Sequence, residues 1–134
     1  MSQQLGTVKV RDYMSTRLVT FGPFMEVMAA LRLLVEHGHS GAPVVDEQGR
    51  LIGMFSEKDC LKVAIMSSYE GVSPGMVQEF MTATVSTVSP DATLLEVATR
   101  FVDAPFKRLP VLEAGKLLGQ ISRSDVLRAI NDLS

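Results

Sequence analysis

The stretch Gly53-Met54-Phe55-Ser56-Glu57-Lys58-Asp59 decides the fold, because Gly119-Gln120-Ile121-Ser122-Arg123-Ser124-Asp125 repeats it. Each copy reads as the end of an apolar strand followed by Ser-x-x-Asp at the start of a helix. A strand running into a helix N-terminus presents unpaired backbone N–H groups and a positive dipole end, which suits an anion. A hydroxyl and a carboxylate three residues apart add an acceptor pair able to grip a polyol such as ribose. The same residues also spell a capping box, whose only task is to start the helix. One copy leaves both readings open. Two copies make the chain a repeat.

Val10, Met14, Thr20, Pro23, Val35, Pro43 and Val44 match Val77, Met81, Thr87, Pro90, Val102, Pro110 and Val111 at an offset of 67. One turn residue is then missing from the second copy. Gly49, Leu51, Gly53, Ser56, Asp59 and Leu61 match Gly115, Leu117, Gly119, Ser122, Asp125 and Leu127 at an offset of 66. Ordered matches of this density establish a tandem repeat.

Both copies run through the same elements. A short amphipathic start leads to a β-rich stretch, Leu18-Val19-Thr20-Phe21 or Val85-Ser86-Thr87-Val88. A helix follows Pro23 or Pro90, and Thr93-x-x-Glu96 gives the second copy a capping box. Strands at Pro43-Val44-Val45 and Pro110-Val111-Leu112 turn through Gly49 or Gly115 into strands Leu51–Phe55 and Leu117–Ile121. The closing helix starts near Ser56 or Ser122. The expected fold is therefore α/β (α+β), two β-α-β-β-α repeats packed through their sheets with approximate two-fold symmetry. The expected boundaries are 8–66 and 77–132, with a linker over 67–76 broken by Gly71, Ser73 and Pro74. A repeat of about 60 residues buries too little surface to be stable alone. The expected helix Phe24–Val35 holds only Glu26 and Arg32 as polar residues, so its second apolar face needs the other repeat or a second chain. We expect a homodimer.

Composition removes several function classes. The net charge of −2 offers no footprint for nucleic acid or an anionic membrane, and no apolar run reaches the length of a membrane span. Cys60 is the single cysteine, which excludes an internal disulfide and favours a reducing compartment; with no signal-peptide pattern at Met1–Leu5, the expected location is cytoplasmic. His37 and His39 lack a third ligand and read as a surface turn, so no metal is expected. Methionines such as Met14, Met25 and Met28 read as core filling. The acids beside Cys60 raise a thiol pKa, the opposite of what a nucleophile needs. No G-x-x-x-x-G-K, G-x-G-x-x-G or nucleophile–base motif is present. An enzyme and a catalytic cofactor are not expected.

The paired Gly-x-x-Ser-x-x-Asp motifs, the strands Pro43-Val44-Val45-Asp46 and Leu109-Pro110-Val111-Leu112, and Thr20 and Thr87 ahead of Pro23 and Pro90 are together specific. They resemble a tandem cystathionine-β-synthase-type (CBS) domain pair, or Bateman module, over nearly the whole chain, as in a stand-alone CBS protein. Such modules bind AMP, ADP, ATP, S-adenosylmethionine or sometimes NAD in clefts between the repeats, and signal to a regulated partner. The resemblance implies that Asp59 and Asp125 accept from ribose hydroxyls, and that Ser56 and Ser122 sit near phosphate, with Ser124 assisting. It implies a phosphate-binding role for Arg108, with Lys107 beside it; the competing reading is a solvated surface arginine. Ser40 and Gly41 replace that pair in the first repeat, leaving its cleft less positive. Met54 and Gln120 would lie against the base, with Thr16 and His39 in the first repeat and Ala83 and Phe106 in the second. The competing function is a structural or scaffolding dimer whose motifs are caps and whose clefts hold no nucleotide.

Overall fold

The structure, a computed structural model, describes residues 2–70 and 75–134. The breakers Gly71, Ser73 and Pro74 lie outside the described residues. In chain order the elements are α1 (Ser2–Leu5), a 3-10 turn (Val10–Asp12), α2 (Val27–His37), β1 (Gly41–Val45), β2 (Leu51–Ser56) and α3 (Glu57–Glu70). They continue with α4 (Val77–Phe80), α5 (Leu94–Asp103), β3 (Arg108–Glu113), β4 (Lys116–Ser122) and α6 (Arg123–Asp132). Helix α3 thus carries on through Ser67–Glu70, where the sequence suggests the start of a linker.

The chain forms two compact units. A central unit spans Val19–Val85, and a terminal unit combines the chain up to Leu18 with Ser86–Ser134. Each is built on one antiparallel hairpin. In the central unit β1 pairs with β2, Gly41 opposite Ser56 and Val44 opposite Gly53, with a bulge at Val44/Val45. In the terminal unit β3 pairs with β4, Arg108 opposite Ser122 and Val111 opposite Gly119, with a bulge at Val111/Leu112. The β-rich stretch expected before each first helix contributes a single parallel bridge, Phe21 to Val44 or Val88 to Val111. Burial explains why these survive as bridges: Phe21 is wholly inside, edge-on to Phe55 at 6.1 Å, and Val88 joins the other core.

Helix α2 starts at Val27, three residues after the expected Phe24. The Pro23 and Met25 carbonyls accept from the Gln78 and Val77 amides (3.0 and 2.8 Å), and the Val27 amide donates to Gly75 (2.9 Å). Those groups are committed to the chain at 75–78, so the helix opens beyond them, at an N-cap, Glu26, whose side chain makes no capping bond. The terminal unit repeats the pattern. Pro90 and Ala92 accept from Arg11 and Val10 (3.0 and 2.9 Å), and Leu94 donates to Val8 (2.9 Å). In both units a leading segment of about ten residues is fastened to the hairpin and first helix. One leader comes from the chain start and serves the second repeat's hairpin; the other, after α3, serves the first repeat's hairpin. Two separate cores result, one around Val10, Leu94, Val97, Leu109, Val111 and Ile121, the other around Phe21, Val27, Val44, Phe55, Val63 and Val77.

Candidate functional site

In the terminal unit the duplicated motif closes β4 and opens α6. Ser122 is in extended conformation as N-cap; its Oγ accepts from the Asp125 amide at 3.2 Å. Asp125 Oδ2 accepts in return from the Ser122 amide (2.9 Å) and the Ser122 hydroxyl (3.0 Å). The capping box is complete. The other oxygen, Oδ1, accepts from Arg128 Nη1 at 3.0 Å, and Asp125 keeps 13% of its side chain exposed. Arg128 also donates to the Tyr13 carbonyl (3.0 Å) and lies 5.4 Å over the Tyr13 ring. Neither Arg128 nor Tyr13 belongs to the set expected from sequence; the i,i+3 spacing of Asp125 and Arg128 was the available signal for the first.

The cations are placed by strand register. Arg108 is the half-buried first residue of β3, paired with Ser122, and the Lys107 carbonyl accepts from the Arg123 amide at 3.1 Å. Lys107 and Arg108 are therefore brought to the capped N-terminus of α6, where Ser124 is exposed. Gln120 exchanges two backbone hydrogen bonds with Ser15, both 2.9 Å, which sets the exposed Thr16 next along that bridge. Phe106, next to Lys107, packs edge-on to Phe101 at 6.0 Å, with the Arg100 guanidinium 5.8 Å over its ring.

The central unit repeats the geometry with different charges. Asp59 Oδ2 accepts from the Ser56 amide (2.9 Å) and hydroxyl (3.0 Å), and Ser56 Oγ accepts from the Asp59 amide at 3.3 Å. Asp59 is deeper, 2% exposed, and its Oδ1 has only Lys62 at 3.8 Å. At the register position of Arg108 stands Gly41, and the Ser40 carbonyl takes the Glu57 amide at 2.9 Å. Met54 exchanges 2.9 Å backbone bonds with Thr82, so the exposed Ala83 follows that bridge. His39 is exposed at the end of α2, its ring stacked on His37 at 5.8 Å. The leaders thus regroup two residues relative to sequence order. Thr16 follows the bridge to Gln120, and Ala83 follows the bridge to Met54, because each leader is hydrogen-bonded to the strand of the other repeat.

Burial first, then the Asp59 and Glu57 carboxylates, push the Cys60 thiol pKa up. Among the described residues no three His, Cys, Asp or Glu side chains converge as a metal site, and no helix is long and apolar enough to cross a membrane.

The repeat, the hairpin-to-helix motif and the doubled capping box define a class, and comparison with known proteins agrees. The CBS domain profile matches residues 10–65 and 77–132, so the chain belongs to the CBS domain family, as a tandem pair. Among solved structures, CBSX2 from Arabidopsis thaliana, crystallised in complex with AMP, is 32% identical with a TM-score of 0.83, covering 94% of this chain and 98% of that one. The CBS domain-containing protein YhcV of Bacillus subtilis is 28% identical over 93% of this chain and 86% of its own length. The A-adding tRNA nucleotidyltransferase of Aquifex aeolicus is 32% identical over 93% of this chain, which spans only 15% of that enzyme.

Proposed function

We propose that the chain is a regulatory module that binds an adenosine-containing ligand (AMP, ADP, ATP or S-adenosylmethionine) and reports its presence to a protein partner, without catalysis. The observation that carries this reading is the gathering of Lys107 and Arg108 on the Ser122-capped N-terminus of a ten-residue helix. Side-chain cations and the helix dipole there favour the same ligand charge. The AMP complex of the similar CBSX2 supports a nucleotide as that anion. Phosphate falls to Arg108, Lys107, Ser122 and Ser124. Ribose falls to Asp125 through Oδ1, because Oδ2 already accepts two hydrogen bonds within the cap. The ligand would shift an equilibrium only through unequal affinity for two states of the module. A single cysteine, which can form no internal disulfide, suits a reducing, cytoplasmic setting. The signalling unit in this reading is a homodimer.

Calorimetry with AMP and adenosine tests the assignment. Arg108→Ala is expected to weaken AMP about ten-fold or more, as loss of a charge-assisted phosphate contact does, and adenosine by less than about two-fold. Equal losses would make the arginine structural and remove the phosphate role.

One observation favours the scaffolding reading for the central unit. Asp59 is almost wholly enclosed and its Oδ2 is committed to the cap, while Gly41 supplies no cation. Absence of binding across AMP, ADP, ATP and S-adenosylmethionine would extend that reading to the whole chain.

A further inference from the structure

The two units differ where each leader crosses the loop before the first helix. In the terminal unit that loop carries Asp91, and the hairpin turn beside it carries Glu113. The leader covers both with its own cation: Arg11 donates Nε and Nη2 to Asp91 Oδ1 at 3.1 and 3.0 Å, and its Nη2 lies 3.8 Å from Glu113. Lys9 adds a contact to Asp91 at 3.8 Å. The central unit has the same backbone frame, with the Gln78 amide on the Pro23 carbonyl where the Arg11 amide is on Pro90. Its side chains are different. Met76 and Gln78 stand for Lys9 and Arg11, Phe24 for Asp91, and the turn carries Asp46 and Glu47.

Here the structure has an open hollow of about 620 Å³, lined among others by Thr20, Pro23, Phe24, Met25, Asp46 and Glu47. Phe24 is 70% exposed. Asp46 is occupied by its own turn, its Oδ1 accepting from the Gln48 and Arg50 amides at 2.9 Å each. Glu47 is exposed and makes no ion pair among the described residues, and no cation lines the hollow. An exposed aromatic face beside an uncommitted carboxylate, in a hollow without a positive charge, is complementary to a flat cation. The terminal unit shows which cation this frame accepts, since a guanidinium already spans the corresponding place.

We propose that the hollow of the central unit is a docking point for an arginine side chain presented by a partner protein, stacked on Phe24 and paired with Glu47. This stands apart from nucleotide binding, which uses none of these residues. Lysine would fit less well, because only the planar guanidinium stacks and pairs at once.

The test titrates the full chain, labelled with ¹⁵N, with the blocked tripeptide Gly-Arg-Gly at low salt, and with the same peptide carrying neutral citrulline. Amide shifts should concentrate on residues 20–25 and 45–48, saturate in the millimolar range and vanish with citrulline. Glu47→Gln and Phe24→Ala should each weaken the arginine peptide about three- to ten-fold, the range expected for losing a charged partner or a stacking face. Gln78→Arg should place a guanidinium in the hollow from within, as Arg11 does in the terminal unit, and abolish peptide binding without loss of fold. Equal shifts with citrulline, or shifts scattered over the surface, would overturn the proposal. So would hollow resonances that move with protein concentration alone, since a second copy would then be the occupant.

Discussion

At the residue scale, the glycines of the duplicated motif have a plain physical reason. A Cβ on Gly119 would stand 2.5 Å from the Ser15 carbonyl oxygen; on Gly53 it would stand 2.9 Å from that of Thr82 and 2.7 Å from Met81 Sδ. Each glycine is the spot where a leader's backbone lies against a hairpin. We expect Gly119→Ala to lose about 1–3 kcal/mol in urea unfolding, the usual range for forcing atoms into a packed site. Gly53→Ala should lose less, because its backbone clash is milder and the Met81 side chain can turn aside. Stability unchanged in Gly119→Ala would show that the leader is not held there. From sequence these glycines were legible as a repeated motif, but their purpose was not: nothing in Gly-x-x-Ser names the segment that packs on it. The same blindness grouped Thr16 with Met54, since linear order does not tell which hairpin a leader joins. Arg108 is singled out by the family resemblance alone; its place opposite Ser122 depends on a bulge at Val111/Leu112 that counting back from the hairpin turn would miss.

At the scale of elements, sequence located α5 and α6 well, since Thr93 and Ser122 both accept the amide of the third helical residue at 3.2 Å. Only Ser122 and Asp125 complete the reciprocal capping box; the expected return bond to Glu96 does not form. It placed the start of α2 too early, because Pro23 reads as a first helical residue while its carbonyl is in fact bound to the leader. The two Ser-x-x-Asp starts look alike in sequence and differ in their second oxygen. Asp125 Oδ1 holds Arg128 at 3.0 Å, whereas Asp59 Oδ1 has only a distant Lys62 and is buried. An Asn in either place keeps an acceptor for the cap. Asp125→Asn should therefore cost the ligand-free protein up to about 1 kcal/mol, through the weakened Arg128 bond, and Asp59→Asn less. In the nucleotide-binding reading, Asp125→Asn should also weaken AMP by about three- to thirty-fold, the difference between a charged and a neutral acceptor. Thermal unfolding beside calorimetry separates the two effects. Unchanged affinity with a lower melting temperature would leave the motif as a helix cap alone.

At the scale of the whole molecule, the apolar surface outside the two cores is itself repeated. Val35 on α2 is 73% exposed and Val102 on α5 is 84% exposed, at matching places in the two repeats. Leu61 and Leu127, also matched, are exposed on α3 and α6, and α3 adds Ile65 and Tyr69 at helical spacing. Single exposed apolar residues are ordinary, but each repeat keeps them at equivalent helix positions, so each unit by itself presents a face suited to partnering. A second copy carries the same duplicated set, and a two-fold contact between copies is the commonest closed assembly. Light scattering of the parent chain at micromolar concentration should give twice the chain mass. Val35→Lys with Val102→Lys should give a monomer with unchanged circular dichroism, because two buried lysines without partners oppose the contact and neither contributes to a core. A parent that is monomeric would rule the homodimer out. A double variant that stays dimeric would move the contact to the α3 face of Leu61, Ile65 and Tyr69, where Ile65→Lys should then break it.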